Sequence, residues 1–265
     1  YYADKHPDLL STTDMEHIAA IVEKYGRVDL LPYSATDFAR WKQDGRLGSL
    51  SIFQHDDDGS ISYRSNSRHL SQNGYHPRIS STFALLTEND PAMAEARRLV
   101  SAERKKPGSM IGQLYSLSVR NPVIIEWYKP VNGIEISHHV AVYQDEYTQR
   151  RLLKQFLDSG VEMFAQRGHS YWRREQLLNP MKQLLEAGEI GKEKLNSINR
   201  FMSIGSCGGI RIYTELNKLF DNTVDILATV GTGKAIVNDP YNRRILEIVA
   251  TSPDTMTWEE VAAKS

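Results

Sequence analysis

One histidine and one cysteine of this chain stand where an imidazole and a thiol could act together. The apolar segment 161–167 leads into Gly168-His169, and the segment 201–204 leads into Gly205-Ser206-Cys207. Each segment is typical of a short buried strand followed by a glycine-containing turn. Parallel strands of an α/β sheet end at one edge, so both side chains are predicted to reach the same rim. An imidazole beside a thiol makes the cysteine a nucleophile.

The plainer interpretation of Cys207 is structural, because a lone cysteine in an apolar neighbourhood is usually a small buried hydrophobe. Three local features favour reactivity. Cys207 follows the strand rather than lying within it, and Gly205, Gly208 and Gly209 allow a tight turn with uncovered amides. The helix predicted over 210–220 would point its first amides at the sulfur, which would lower the pKa of the thiol and stabilise an oxyanion.

The order of these residues along the chain excludes several thiol hydrolases. The segment 205–209 has the G-x-C-x-G form of the nucleophile elbow found in class I glutamine amidotransferases and α/β-hydrolase relatives. Those families and the papain-like proteases require a histidine after the nucleophile, whereas all eight histidines here precede Cys207. His169 alone directly follows a predicted core strand at a glycine turn. His138 and His139 are predicted at the start of a strand, on the opposite edge.

Composition excludes other classes of function. The net charge of −1 gives no reason to expect nucleic acid or an anionic membrane as a partner. No apolar run approaches the roughly 20 residues that cross a bilayer. One cysteine excludes an intrachain disulfide and a cysteine-rich zinc site. No signal-peptide pattern opens the chain, which favours the cytoplasm, and the missing initiator Met indicates a processed or trimmed piece.

Two short motifs resemble ligand sites but lack residues that such sites require. Asp56-Asp57-Asp58-Gly59 lacks the alternating ligands and the distal Glu of a calcium loop, so a solvated hairpin turn is predicted there. Gly231-Thr232-Gly233-Lys234 resembles a phosphate loop, but Ala235 stands where Ser or Thr is required. We therefore expect neither a metal nor a cofactor.

Strands and helices alternate regularly in the second half of the chain. Strands are predicted at 139–143, 161–165, 201–204 and 224–230, and helices at 147–157, 210–220 and 241–250. This alternation predicts α/β architecture, a mostly parallel sheet with helices on both faces. Residues 1–110 are predicted to form a smaller mixed α+β part, in which 60–80 is an irregular polar surface segment. Further strands are predicted at 50–54 and 116–127, and Asn132-Gly133 is predicted to be the centre of a hairpin turn.

The arrangement of strand, Gly-His, a spacer of a few tens of residues, strand and small-Cys-Gly resembles the caspase–hemoglobinase fold peptidases of clan CD. This group includes caspases, legumain, clostripain, gingipains and separase. The resemblance covers about residues 136–250, within a caspase-like domain predicted over 111–265. It implies that His169 is the general base and acid, that Cys207 is the nucleophile, and that Gly168 and Gly208 form the oxyanion hole. Many members have glycine after the histidine, where this chain has Ser170.

The same resemblance implies a cysteine endopeptidase that cleaves peptide bonds through a thioester, with a protein or peptide as its partner. Thr229 and Gly231 follow the next predicted strand, where these enzymes place part of the substrate-binding wall. Asp145 and Glu146 follow the strand 139–143 on the same rim, where they could bind a cationic substrate group or orient loops. Trp172, just past His169, could wall a pocket or close over the core.

Two other functions remain open from the sequence. The segment 205–209 and the helix after it could hold an anionic ligand or a partner in a non-catalytic α/β binding domain. The same dyad would also serve a cysteine-dependent acyltransferase or deamidase.

Overall fold

The structure, a computed structural model, describes residues 8, 10–26, 35–168, 177–205, 209–229 and 235–265. Within these residues it contains one seven-stranded sheet with the order β2-β3-β4-β1-β5-β6-β7. The strands are β1 (Arg46–Gln54), β2 (His76–Ile79), β3 (Ile125–Val131), β4 (Ile134–Tyr143), β5 (Met163–Arg167), β6 (Arg200–Ile204) and β7 (Val224–Ala228).

Helices cover both faces of this sheet. They are α1 (Thr12–Tyr25), α2 (Phe38–Trp41), α3 (Asp57–Gln72), α4 (Pro91–Lys105), α5 (Ile111–Arg120), α6 (Glu146–Asp158), α7 (Asn179–Glu186), α8 (Lys192–Leu195), α9 (Tyr213–Leu219), α10 (Ala235–Thr251) and α11 (Trp258–Lys264). One core packs against α2–α5, α10 and α11, and a second core packs against α6–α9. The predicted α/β class with a mostly parallel sheet is confirmed. Among the described helices, none has both the length and the apolar character needed to span a bilayer.

The parallel part of the sheet has a switch in strand order at β1. β4, β1, β5, β6 and β7 run parallel, whereas β2 and β3 pair antiparallel at one side. β4 follows β1 in the parallel part of the sheet and pairs with one side of it, and β5, which comes next, pairs with the other side. The strand order therefore reverses between β1 and β5. Crevices at such points are where open α/β sheets bind ligands. β1 comes from the part before residue 110, so that boundary does not separate two sheets.

The segment after β1 differs from its prediction. Instead of a hairpin turn at 56–59 and an irregular stretch at 60–80, the chain forms the 16-residue helix α3. Asp56 is the N-cap, and its carboxylate accepts a hydrogen bond from the amide of Gly59 at 2.7 Å. The buried face of α3 is made largely of small polar residues such as Ser62, Ser67 and Ser71. Helical periodicity in hydrophobicity is therefore weak, and the sequence pattern misses the helix.

The strand predicted over 116–127 is also wrong in its first half. Residues up to Arg120 belong to α5, whose buried positions Ile111, Leu114, Tyr115 and Ser118 follow helical spacing. The extended part begins at Ile125. The predicted Asn132-Gly133 turn is confirmed, since both residues have positive φ (50° and 80°) and β3 pairs antiparallel with β4.

Candidate active site

The two strands that lead to the candidate dyad are hydrogen-bonded neighbours. β5 and β6 run parallel in a register that pairs Met163 with Phe201 and Gln166 with Ile204. Every residue of both strands is buried. Their carboxyl ends therefore lie side by side at one edge of the sheet. His169 is the second residue after β5, and Cys207 is the third after β6.

Several predicted site residues lie outside the described part of the chain. These are His169, Cys207, Gly208, Trp172 and Gly231. The structure therefore defines the geometry of the site through the described residues that flank these positions. These are the ends of β1, β4, β5, β6 and β7 and the segments that follow.

Gly168 packs closely against the end of β1. Its φ of +149° lies in the region that favours glycine. A Cβ added there would come within 2.5 Å of Gln54 Cβ and 2.7 Å of Gln54 Oε1, with Asp56 Oδ2 at 3.3 Å. No larger residue fits without movement of Gln54. The close approach holds the end of β5, and hence the residue before His169, against β1.

Arg167 connects the ends of β5 and β6. It is buried, and its Nη1 donates a hydrogen bond to the carbonyl oxygen of Gly205. That bond lies beyond the last backbone pairing of the two strands, which joins Gln166 and Ile204. It therefore couples the position two residues before His169 to the position two residues before Cys207.

From Gly209 onward the chain packs closely against the end of β6. A Cβ on Gly209 would lie 2.6 Å from the carbonyl oxygen of Ile204, so the backbone there requires a residue without a side chain. The helix predicted over 210–220 is divided into a 3₁₀ turn at Gly209–Ile212 and the seven-residue helix α9. A dipole from such a short helix is a weaker source of thiol activation than the sequence pattern indicated.

Thr229 lies at this edge, next to the chain that follows Gly209. Its carbonyl oxygen accepts a hydrogen bond from the amide of Ile210 at 3.0 Å, and its own amide donates to Ile204 at 3.4 Å. Thr229 thus extends the β6–β7 pairing by one residue and holds the start of the 3₁₀ turn. Its predicted role in substrate binding stays a prediction.

Asp145 and Glu146 lie at the same edge but on the far side of β1. Asp145 is the N-cap of α6, and its carboxylate accepts a hydrogen bond from the amide of Thr148 at 2.7 Å. Glu146 is exposed in the first turn of α6. Two strand spacings, about 10 Å, separate β4 from β5. Helix capping accounts for Asp145, and contact of either residue with a substrate stays a prediction.

A second histidine lies at the carboxyl edge of the sheet. His55 is exposed and directly follows β1, and its Nδ1 is 3.0 Å from the hydroxyl oxygen of the buried Tyr115. Sequence reasoning placed His55 in a surface turn, because α3 was not recognised. His169 is therefore one of two histidines that follow core strands at this edge.

His138 and His139 are excluded as bases by burial. They lie within β4 rather than at its start, on opposite faces, and are 3% and 2% exposed. Each Nδ1 is hydrogen-bonded to a serine hydroxyl, to Ser49 at 2.7 Å and to Ser80 at 2.9 Å. Burial lowers the pKa of His138 to about 3 and that of His139 to about 4, so both imidazoles are neutral at physiological pH.

The comparisons with known proteins leave the family open. No protein-family model, curated protein or solved structure matches this chain. Within the described residues, no group of three or more His, Cys, Asp or Glu side chains is arranged to hold a metal ion. Membership of the caspase–hemoglobinase group stays a prediction.

Sequence reasoning missed the contribution of β1 to this edge. Gln54, His55 and Asp56 lie beside the end of β5 or directly after β1. The strand predicted over 50–54 was recognised, and the missed signal was Asp56 as the N-cap of a following helix, which together with that strand makes a strand–helix unit. Arg167 was missed because a charged residue at a strand end resembles an exposed one.

Proposed function

We propose that this chain is a cysteine peptidase of the caspase–hemoglobinase type, in which His169 and Cys207 form the catalytic dyad. The observation that carries the proposal is the pairing of β5 with β6. These strands are parallel neighbours, and each leads within three residues to one member of the dyad. Two short glycine turns at one sheet edge would bring an imidazole to a thiol.

Strand spacing favours His169 over His55 as the base. Neighbouring strands are about 4.8 Å apart, so β5 lies one spacing from β6. β1, which leads to His55, lies two spacings or about 10 Å from β6. The hydroxyl of Tyr115 also occupies one nitrogen of His55.

The proposed chemistry is acyl transfer to water. His169 accepts the proton of the Cys207 thiol, and the thiolate attacks the peptide carbonyl carbon to form a C–S bond. The amides of Gly168 and Gly208 donate to the oxyanion. The C–N bond breaks, and the departing amine takes the proton from His169. Water then loses a proton to His169 and attacks the thioester, the C–S bond breaks, and the proton returns to the thiolate.

In this proposal the substrate crosses the carboxyl edge of the sheet. Thr229 would contact it on the β7 side, and Asp145 and Glu146 on the β4 side. Gln54 and Asp56 lie between these positions, against Gly168.

The test is covalent capture by a peptidyl electrophile, followed by mass spectrometry of the modified peptide. Wild type should be labelled at Cys207, and Cys207→Ala should not be labelled. His169→Ala should slow labelling about 10²- to 10⁴-fold, because the thiol loses its base. His55→Ala is the matched control at the same edge and should change the rate less than about tenfold.

Three outcomes would count against the proposal. If folded wild type is not labelled by a panel of peptidyl electrophiles, a non-catalytic binding domain is favoured. If His55→Ala slows labelling more than His169→Ala, the base has been misassigned. If peptide substrates yield transferred acyl groups or deamidated products rather than cleaved chains, the same thiol serves a different reaction.

A further inference from the structure

Arg167, the last residue of β5, is a buried arginine at the edge where the candidate dyad lies. It is 5% exposed, although arginine is almost never buried unless it is paired. The sheet register pairs Gln166 with Ile204, so the next position along β5 stands opposite Gly205. Arg167 donates a hydrogen bond to the carbonyl oxygen of that glycine. A side chain thus continues the link between β5 and β6 where their backbone pairing stops.

The residues around Arg167 leave room for its side chain to cross from β5 to β6. The guanidinium must span one strand spacing, about 4.8 Å. Ala165, two residues earlier on the same face of β5, pairs with Ser203 of β6. Gly205 itself has no side chain. Small residues at these positions let the guanidinium reach the neighbouring strand, because a larger side chain there would occupy the same space.

The segment 205–209, which contains Cys207, is held at both ends by described contacts. At its exit, Gly209 packs against the carbonyl oxygen of Ile204, and the amide of Ile210 donates to Thr229. At its entry, Arg167 holds the carbonyl oxygen of Gly205. A peptide unit is planar, so fixing this oxygen also fixes the plane of the bond that leads toward the cysteine. Two Cα steps of about 3.8 Å each separate Gly205 from Cys207.

Arg200 shows what a buried arginine does at the other end of the same two strands. Its guanidinium donates to carbonyl oxygens of the loops that enter β5 and β6. Both arginines therefore fix backbone carbonyls. Arg167 does so at the edge where β5 continues toward His169 and β6 continues toward Cys207.

We propose that Arg167 is a positioning residue for the proposed peptidase, whose hydrogen bond to Gly205 sets the turn with the Cys207 thiol relative to the turn with the His169 imidazole. This role rests on the proposed function, since it concerns the same thiol and imidazole. Arg167 acts through the backbone and does not touch the reacting atoms. Misplacement of a reacting group by about 1 Å can cost about 100-fold in rate. A hydrogen bond at the entry to the thiol turn can therefore control its reactivity.

The test compares two reagents on the same thiol. A peptidyl electrophile requires the aligned dyad and the substrate edge, whereas iodoacetamide requires only an accessible thiolate. Cys207 is the one cysteine of the chain, so every label on sulfur of a cysteine reports on it. Arg167→Met removes the hydrogen bond and keeps an unbranched side chain. It should lower the rate with the peptidyl electrophile about 100-fold and change the rate with iodoacetamide less than about tenfold.

Arg200→Met is the matched control, because it makes the same substitution at a buried arginine of the same strand pair. It should leave the ratio of the two rates at the wild-type value, under conditions where circular dichroism shows each variant to be folded. Arg167→Lys keeps a donor for one carbonyl oxygen and should recover at least tenfold of the lost rate. Arg167→Gln replaces Arg167→Met if that variant does not fold, since its amide suits a polar site but is too short for the same bond.

Three outcomes would overturn the role of Arg167 alone. One is a wild-type ratio of rates in folded Arg167→Met or Arg167→Gln. Another is an equal fall of the ratio in Arg200→Met, which would attribute the effect to lost stability. The third is no recovery in Arg167→Lys. Failure of the peptidyl electrophile to label wild type is a different result, because it overturns the proposed function and the role of Arg167 with it.

Discussion

β5 and β6 have different kinds of residue at their two ends. The residues at the amino end stabilise the fold, whereas the carboxyl end leads into the candidate dyad. At the amino end, Glu162 precedes β5 and Arg200 begins β6, and both are buried. At the carboxyl end, Gly168 and Gly205 lead into the candidate dyad. The same pair of neighbouring strands thus has buried ionisable side chains at one edge and glycine residues at the other.

The charged groups at the amino end are used to hold the backbone. The Glu162 carboxylate accepts a hydrogen bond from the amide of Gly48 at 2.7 Å. Arg200 lies over the ring of Phe156. Its guanidinium donates four hydrogen bonds to the carbonyl oxygens of Leu157, Ser159, Lys194 and Leu195, at 2.8–3.2 Å. These bonds tie the loops that enter β5 and β6 to the sheet.

The carboxyl end has glycine residues and close contacts where the amino end has buried ionisable side chains. Gly168 packs against the side chain of Gln54, Gly209 packs against the carbonyl oxygen of Ile204, and Arg167 donates a hydrogen bond to the carbonyl oxygen of Gly205. Backbone amides near a glycine turn remain able to serve a substrate. The comparison teaches that substitutions at the amino end should change stability, and substitutions at the carboxyl end should change activity.

The largest expected effect is on stability at the amino end. Arg200→Met removes four hydrogen bonds from buried or partly buried carbonyls. We expect a loss of about 3–5 kcal/mol in the free energy of unfolding, measured by urea denaturation. Arg46→Met, at the exposed start of β1, is the control and should stay within about 0.5 kcal/mol of wild type. A large fall in the rate of the proposed peptide cleavage without loss of stability would contradict this division of roles between the two ends.

A smaller effect on stability but a clear effect on activity is expected at the carboxyl end. Gly168→Ala places a Cβ within 2.5 Å of Gln54 Cβ at a φ of +149°. The forced displacement should lower peptide cleavage about 100-fold, with about 1–3 kcal/mol of destabilisation. Gly160→Ala, two residues before Glu162, meets open space and should leave cleavage unchanged. Full activity in Gly168→Ala would show that this close approach does not position the dyad.

The smallest expected effect is a pH dependence of stability that originates at the amino end. Burial raises the pKa of Glu162 from 4.5 to about 8 in the folded protein. A raised carboxyl pKa stabilises the fold fully below pH 4.5, and this contribution is lost as pH rises through about 8. We expect a loss on the order of 1–2 kcal/mol across this interval, since relaxation absorbs part of the shift.

Glu162→Gln should flatten that dependence, because the amide oxygen can still accept from Gly48 and no longer titrates. Urea denaturation at several pH values between 4.5 and 8 gives the readout. Glu23→Gln, at an exposed position of α1, controls for loss of one acidic residue. An unchanged pH profile in Glu162→Gln would assign the dependence to another group.

The strands that lead to the candidate site were predictable because they are short, apolar and bounded by glycine. β5, β6 and β7 begin and end within a few residues of their predicted bounds, and the Asn132-Gly133 hairpin has its expected conformation. α3 was not predictable, because serine and asparagine on its buried face conceal helical periodicity. His55 was consequently not recognised as an edge residue.

The sequence by itself determined the local pattern: buried strands that run into glycine turns, and a histidine that precedes the cysteine along the chain. Only the tertiary structure decided which strands are neighbours. The insertion of β1 between β4 and β5 places Gln54 against Gly168. The physical reason is that strand pairing depends on hydrogen bonds and packing between distant segments, whereas hydrophobic periodicity reports only whether each segment is buried.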